Sequence, residues 1–149
     1  MKPDLDHSHH LLITLAEFRF ELRKFLQFSE NASIAAGLQP QQHQLLLQVA
    51  GAAEGTSVTI AYAASHLGLK HNSTVELVDR SEREDLVERT IDNSDKRRAI
   101  LRLTRKGRHV LHKLSGDHAR ELNEMAPRLV RALRRVQLHS GASLAQEAL

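Results

Sequence analysis

Two groups of side chains in this sequence carry the chemistry needed to hold a polyanion. The first is a basic run from Lys96 to Arg108, which contains seven Lys or Arg residues and no Asp or Glu. The second is the polar stretch Lys70–Thr74, which reads KHNST. Lysine and arginine neutralise phosphates, while amide and hydroxyl groups exchange hydrogen bonds with base edges. Nucleic acid is therefore the ligand class that these residues favour.

The polar stretch lies where one predicted helix ends and another begins. In Ile60–Leu67 small and apolar residues recur on one helical face, and Gly68 follows as a left-handed C-cap. Asn72 or Ser73 then supplies the N-cap of a second helix. Two short helices joined by a glycine-containing turn form a helix-turn-helix, in which the start of the second helix meets the ligand.

The basic run begins in a predicted β-hairpin. Leu86–Ile91 is a short apolar and β-branched run, and Ala99–Leu103 alternates apolar and polar residues. Between them lies the turn-forming sequence Asp92–Asp95. This arrangement predicts two antiparallel strands whose tip carries cations, a hairpin called the wing from here on.

The remaining elements are predicted from apolar periodicity and from residues that start or stop helices. A long amphipathic helix is predicted over His10–Glu30, and a second helix is predicted to begin at Pro40. A short strand near Ser57–Thr59 should pair with the wing. After the wing, a helix is predicted over Arg105–Glu124, and Pro127 should kink or break it before a last helix.

The wing sequence resembles that of the MarR family of winged helix-turn-helix transcription regulators. The family's wing signature is an Asp, any residue and an Arg, followed by Leu-Thr and a glycine three residues later. In this chain the signature residues are Asp95, Arg97, Leu103, Thr104 and Gly107.

Two further patterns carry the same resemblance. The sequence VDR at Val78–Arg80, followed by LVER at Leu86–Arg89, is similar to the family's recognition helix running into its second strand. Asp85 departs from the family, which usually has a glycine there, although Asp enters the left-handed region more readily than most residues. The resemblance implies a mainly α fold with a small antiparallel β wing: a winged helix-turn-helix with a helical dimerisation region.

The two ends of the chain contain more apolar positions than a compact wing domain needs for its own core. We therefore predict a two-fold homodimer, which the MarR resemblance also implies. Residues 1–36 would form a tail and dimerisation helix, 37–104 the DNA-binding lobe, and 105–149 the C-terminal dimerisation helices, all within one structural domain. Two recognition helices about 34 Å apart would then read pseudo-palindromic double-stranded DNA.

Candidate DNA contacts follow from position in these elements. Lys70, His71, Asn72, Ser73, Thr74 and Arg80 are predicted for the recognition helix, and Asp95, Lys96, Arg97 and Arg98 for the wing. Asn72 suits adenine, while Lys70 and Arg80 suit phosphate or guanine. The plainer alternative is that Asn72 and its two neighbours only cap a helix. The resemblance implies that Arg97 enters the minor groove and that Asp95 orients Arg97 or the next arginine.

The resemblance also implies a small aromatic or anionic effector. Phe18, Phe25, His43 and Leu46 are candidates for lining its pocket, although core packing explains such residues equally well. A zinc-responsive regulator is an alternative, with His43, His109 and His112 as candidate ligands. A helical interaction module that does not bind DNA is a further alternative.

Composition limits the other function classes. The chain has 149 residues, a formal net charge of +3 and no cysteine, which excludes disulfides and thiolate metal sites. The sequence contains no nucleophile elbow and no phosphate-cradling glycine loop, so an enzyme is not expected, and no cofactor is expected either. Without a membrane span or a signal-peptide core, a cytoplasmic location is expected.

Overall fold

The computed structural model describes the backbone of residues 4–146 and the side chains of residues 8–138. In chain order, the elements are α1 (Asp4–Ala35), α2 (Pro40–Ala50), α3 (Ile60–Leu67), α4 (His71–Arg83), β1 (Val87–Ile91), β2 (Ala99–Leu103) and α5 (Arg105–Gln146). They form two compact units, one from the described residues of 1–29 and 118–149, the other from residues 30–117. Of the predicted end segments, residues 1–3 and 147–149 lie outside the described residues.

The helix-turn-helix is present, but its second helix begins earlier than predicted. Gly68 ends α3 in the left-handed conformation, with φ 63° and ψ 31°, as predicted. The N-cap of α4 is Lys70, which makes no side-chain cap hydrogen bond, so the N-cap predicted at Asn72 or Ser73 is wrong. Extended backbone at Lys70 is enough to start the helix directly after the glycine turn. Asn72 and Ser73 therefore lie inside the first turn of α4.

The wing is an antiparallel pair of strands, with a register that runs from Val87↔Leu103 to Ile91↔Ala99. The strand predicted near Ser57–Thr59 does not form, and only one hydrogen bond, from Leu101 N to Val58 O at 2.7 Å, links that segment to β2. Thr59 serves instead as the N-cap of α3, where its hydroxyl accepts a hydrogen bond from Tyr62 N at 3.2 Å. Val58 is therefore the residue of this segment that bonds to β2.

Three residues fix the base of the wing to the start of α5. Thr104 Oγ1 donates to Asp85 O at 2.6 Å and accepts from Gly107 N at 3.0 Å, which caps α5. Asp85 has a φ of 58°, so it adopts the left-handed conformation expected from its place in the sequence. A Cβ on Gly107 would lie 2.0 Å from the carbonyl oxygen of Leu86. Only glycine fits there, because the helix start and the strand entry are in backbone contact.

The C-terminal segment is one helix, α5, rather than the two that were predicted. Pro127 lies inside it without ending it, so the predicted break is wrong. A proline inside a helix removes one main-chain hydrogen bond and crowds the preceding turn, but the hydrogen bonds on either side of Pro127 are enough for the helix to continue past it. The N-terminal helix α1 also extends beyond the predicted range His10–Glu30 at both ends.

The second unit has a continuous apolar core that holds the helix-turn-helix against the wing. Its buried members include Leu45, Leu46, Ala63, Leu77, Val78, Leu86, Val87, Leu101, Leu103, Leu111 and Leu114. Each fully buried leucine or valine contributes roughly 1.5–3 kcal/mol of transfer free energy. Because α2, α3, α4 and both strands contribute to this core, it fixes the position of α4 within the unit.

Candidate nucleic-acid interface

The N-terminal end of α4 presents polar side chains to solvent. Lys70, His71, Asn72 and Ser73 are all exposed, and the first turn contains no acidic residue. Helix N-termini carry unpaired N–H groups and a partial positive charge, both of which attract phosphate. This end of α4 can therefore meet a nucleic acid with its backbone and with the side chains predicted for it.

The prediction for Thr74 is wrong. Its side chain is fully buried, and its hydroxyl donates to Lys70 O at 3.0 Å. A hydroxyl held in this way cannot reach a base, so the role of Thr74 is to tie the first turn of α4 to the residue that precedes it.

The structure places Arg80 away from the polar end of α4. Arg80 as a whole is half-buried, and its guanidinium donates to Gln39 Oε1, immediately before α2. A second bond joins the start of α2 to the end of α4. Gln42 is buried, and its Nε2 donates to Glu84 Oε2 at 3.0 Å. Arg80 therefore links α4 to α2, and a role for it as a phosphate or guanine contact stays a prediction.

A charged cluster joins the recognition helix to the wing. The guanidinium of Arg89 on β1 bonds Asp79 and Glu82 on α4. Burial lowers the pKa of Arg89, but its bonds to the two carboxylates outweigh that effect and leave the pKa raised, so the group stays charged. Sequence reasoning missed this cluster, although Asp79 lies in the VDR pattern and Arg89 in the LVER pattern.

The tip of the wing presents an oriented arginine. Asp95 Oδ1 accepts from the backbone N of Arg97 at 3.1 Å and from its Nε at 3.3 Å. The Arg97 side chain is 92% exposed, so most of its donors face solvent. Lys96 and Arg98 are also exposed. The geometry expected of Asp95 as an orienting carboxylate is present.

A second aspartate shapes the turn behind this tip. Asp92 Oδ1 accepts from the hydroxyl of Ser94 at 2.7 Å and from its backbone N at 2.9 Å. These bonds, led by the one from the hydroxyl, hold the pKa of Asp92 below its ordinary value of 3.8. The turn therefore depends on an ionised Asp92.

Part of the basic run is structural. Lys106 Nζ donates to Glu84 O at 2.8 Å, and an Arg108 guanidinium nitrogen donates to Leu103 O at 2.6 Å. Arg102 is exposed and lies opposite Glu88 in the strand register. Lys106 and Arg108 therefore each spend part of their hydrogen-bonding capacity on the lobe's own backbone.

The histidines proposed as zinc ligands are differently exposed. His43 is buried in α2, whereas His109 and His112 are exposed on α5. Within residues whose side chains are described, no three His, Asp or Glu residues lie together as a metal would require.

No helix in the described part of the chain is long and apolar enough to cross a membrane.

The four residues predicted for an effector pocket belong to both units. Phe18 and Phe25 are half-buried in the first unit, where the ring of Phe25 meets that of His118 edge to face at 6.0 Å. His43 and Leu46 are buried in the second unit, and Leu46 is part of its core. Packing accounts for the positions of His43 and Leu46.

Comparison with known proteins supports the resemblance seen in the sequence. The sequence model of the MarR family matches residues 36–98, which contain α2, α3, α4 and β1. The chain is 28% identical to the transcriptional repressor CouR, solved bound to a 23-mer DNA duplex; the match covers 85% of this chain and 87% of that one, with a TM-score of 0.63. No protein of curated function matches the chain in sequence.

Two further solved structures extend the comparison. CouR from Rhodococcus jostii RHA1, bound to p-coumaroyl-CoA, is 27% identical over 68% of this chain and 69% of that one, with a TM-score of 0.59. A MarR family transcription regulator shares the fold over 97% of this chain and 96% of its own, at 18% identity and a TM-score of 0.74. In its helix-turn-helix, its wing and the sequence of residues 36–98, the chain is similar to the MarR family of winged helix-turn-helix transcription regulators, which are DNA-binding proteins and not enzymes.

Proposed function

We propose that this protein is a homodimeric repressor that binds pseudo-palindromic duplex DNA and is released by a small aromatic or anionic effector. The observation that carries the proposal is the exposed polar end of α4 in the same compact unit as the wing's oriented Arg97. The cluster around Arg89 ties the two elements together. One lobe therefore offers a groove-reading helix and a minor-groove cation.

The groups on α4 and on the wing would contact different parts of the DNA, according to their chemistry. In the major groove, Asn72 would pair with adenine, and Lys70 with guanine or a phosphate. The backbone N–H groups at the start of α4 would meet phosphate as well. Arg97 would enter the minor groove, where its charge adds affinity at every sequence but little discrimination. Specificity would therefore come mainly from α4.

The exposed apolar residues of α1 and α5 support the homodimer. On α1, Phe20 is 61% exposed and Leu26 51%, and on α5 Leu133 is 46% exposed. Burying apolar surface gains roughly 25 cal/mol for each Å², so a second copy would stabilise these helices by covering them. The dimer would present two α4 ends about 34 Å apart, which matches successive major grooves on one side of a duplex.

Release by an effector is supported by the two states in which CouR has been solved, one with DNA and one with p-coumaroyl-CoA. In this chain an effector would have to bind the DNA-incompetent state more tightly than the competent one. A shift from 1:99 to 99:1 requires a preference of about 10⁴-fold. Under this proposal the effector acts on the spacing or the orientation of the two lobes.

Fluorescence anisotropy with duplexes that tile the DNA upstream of the protein's own gene tests the proposal. We expect one duplex to bind two chains, with an affinity that falls steeply as salt rises. Arg97→Ala should weaken binding at every sequence and reduce the salt slope by about one. Arg83→Ala is the matched control, since Arg83 is exposed at the opposite end of α4.

Two results would contradict the proposal. Salt-insensitive binding, or none to any tiled duplex, would favour a helical interaction module. Equal losses for Arg97→Ala and Arg83→Ala would show that the wing tip has no special role.

A further inference from the structure

One face of the wing continues the core of the lobe outward. Every second residue of a strand points to the same face, and residues paired across an antiparallel ladder share that face. In the register of the wing, one face therefore carries Val87, Arg89 and Ile91 of β1 together with Leu103, Leu101 and Ala99 of β2. Val87, Leu101 and Leu103 are buried members of the core. This face packs on the helices, and we call it the inner face of the wing.

The surroundings of the inner face change along β1. Val87 lies in the core, and Arg89, two residues further, bonds two carboxylates on α4. Ile91 follows after two more residues and is 70% exposed. Its partner across the ladder is Ala99, whose single methyl group covers little of it. Ile91 therefore continues a core-facing row of side chains into solvent.

Single exposed apolar residues are common on protein surfaces, but the place of Ile91 in this fold is specific. It directly precedes the turn of the wing, which is closed by a hydrogen bond from Asp92 N to Arg98 O at 3.0 Å. The exposed cations Lys96, Arg97 and Arg98 lie in that turn. A partner that approaches these cations therefore also approaches an apolar side chain.

Double-stranded DNA offers both kinds of surface side by side. Phosphates line the edges of the minor groove, and the C–H groups of the deoxyribose rings form much of its walls. Proteins that enter the minor groove often combine apolar side chains with arginine or lysine. In RNA helices the corresponding surface displays 2′-hydroxyl groups, which suit an isoleucine less well. DNA is therefore the polyanion that complements the wing tip.

We propose that Ile91 packs against deoxyribose in the minor groove beside Arg97 and supplies a part of the affinity that salt does not weaken. The inference rests on the proposed function and adds to it a contact of a different chemical kind. An apolar contact releases no counterions, so its loss leaves the dependence of affinity on salt unchanged. Because deoxyribose is the same at every base pair, the contact strengthens binding at every sequence. Ile91 thereby differs from Arg97 in salt dependence and from Asn72 in sequence dependence.

Fluorescence anisotropy of the full-length protein with a specific and a scrambled duplex, repeated at several salt concentrations, tests the contact. Ile91→Thr keeps a β-branched side chain but introduces a hydroxyl. We expect it to weaken binding to both duplexes about tenfold, which is about 1.4 kcal/mol, and to leave the salt slope unchanged. Ile91→Val loses one methylene and should weaken binding by no more than about fourfold.

Ile100→Thr is the matched control, because Ile100 lies on β2 of the same hairpin but points to the opposite face of the wing. Circular dichroism confirms the fold of each variant, and Ile91→Gln replaces Ile91→Thr if the latter does not fold. Unchanged affinity in the Ile91 variant, an equal loss in Ile100→Thr, or a reduced salt slope would overturn the contact.

The same titrations separate this inference from the proposed function. If the unmodified protein binds no duplex, the proposed function fails and the inference fails with it. If the unmodified protein binds with the expected salt dependence and Ile91→Thr binds equally well, only the inference fails.

Discussion

The same substitution at two glycines of α5 should have opposite effects on stability. At Gly107, a new Cβ would lie 2.0 Å from Leu86 O and 3.0 Å from Leu86 C, so the two backbone segments would have to separate by about 1 Å. Leu86 O also accepts a hydrogen bond from Thr104 N at 3.1 Å, which that movement would weaken. Strain from overpacking and a weakened hydrogen bond together predict a loss of about 2–4 kcal/mol for Gly107→Ala.

Gly116 is the internal control. It lies in the interior of the same helix, and a Cβ there would meet nothing within 4 Å. Gly116→Ala should therefore stabilise the protein by roughly 0.5–1 kcal/mol, because alanine has the higher helix propensity. Urea unfolding followed by circular dichroism measures both free energies. Equal shifts in the same direction, or a Gly107→Ala variant as stable as the unmodified protein, would refute the proposed contact between the wing base and α5.

Three further predictions concern the DNA contacts, the wing turn and the dimer. Asn72→Ala should cost about 1–3 kcal/mol on the specific duplex and almost nothing on a scrambled one; equal losses in anisotropy would contradict base recognition. Because the pKa of Asp92 is lowered in the folded wing, its stabilisation should be present above pH 3.8 and disappear as pH falls through the lowered value. NMR titration of the Asp92 carboxyl checks this, and a midpoint at or above 3.8 would contradict it. Leu133→Glu should convert the dimer to monomer in sedimentation equilibrium, and an unchanged mass would remove Leu133 from the interface.

The parts of the fold that could be predicted are those with local signals. The glycine turn after α3 follows from Gly68, whose backbone is left-handed, and the wing follows from two apolar runs around a turn sequence. The break predicted at Pro127 is wrong because the prediction considered only the local effect of proline and not the length of helix on either side of it. The strand near Ser57–Thr59 failed because Thr59 was needed to cap α3, a competing use that periodicity does not show.

In the candidate site, too, contacts between residues near in sequence could be predicted, and contacts that depend on the fold could not. The pairing of Asp95 with Arg97 could be expected, because both lie in one turn. The burial of Thr74 could not, since it depends on how α4 packs within the lobe. The bonds from Arg89 to α4 and from Arg80 to Gln39 join residues distant in sequence. Such contacts become visible only once the elements are placed in space.

Hydroxyl-radical footprinting on the DNA upstream of the protein's own gene tests the central claim most directly. If each lobe places an α4 end in a major groove and a wing in a minor groove, each should protect the DNA backbone in the same pattern of patches. We predict that these patches recur about one helical turn apart, on one side of the duplex and about a local two-fold axis. A footprint limited to a single half-site, or no protection at protein concentrations that saturate binding, would contradict this account.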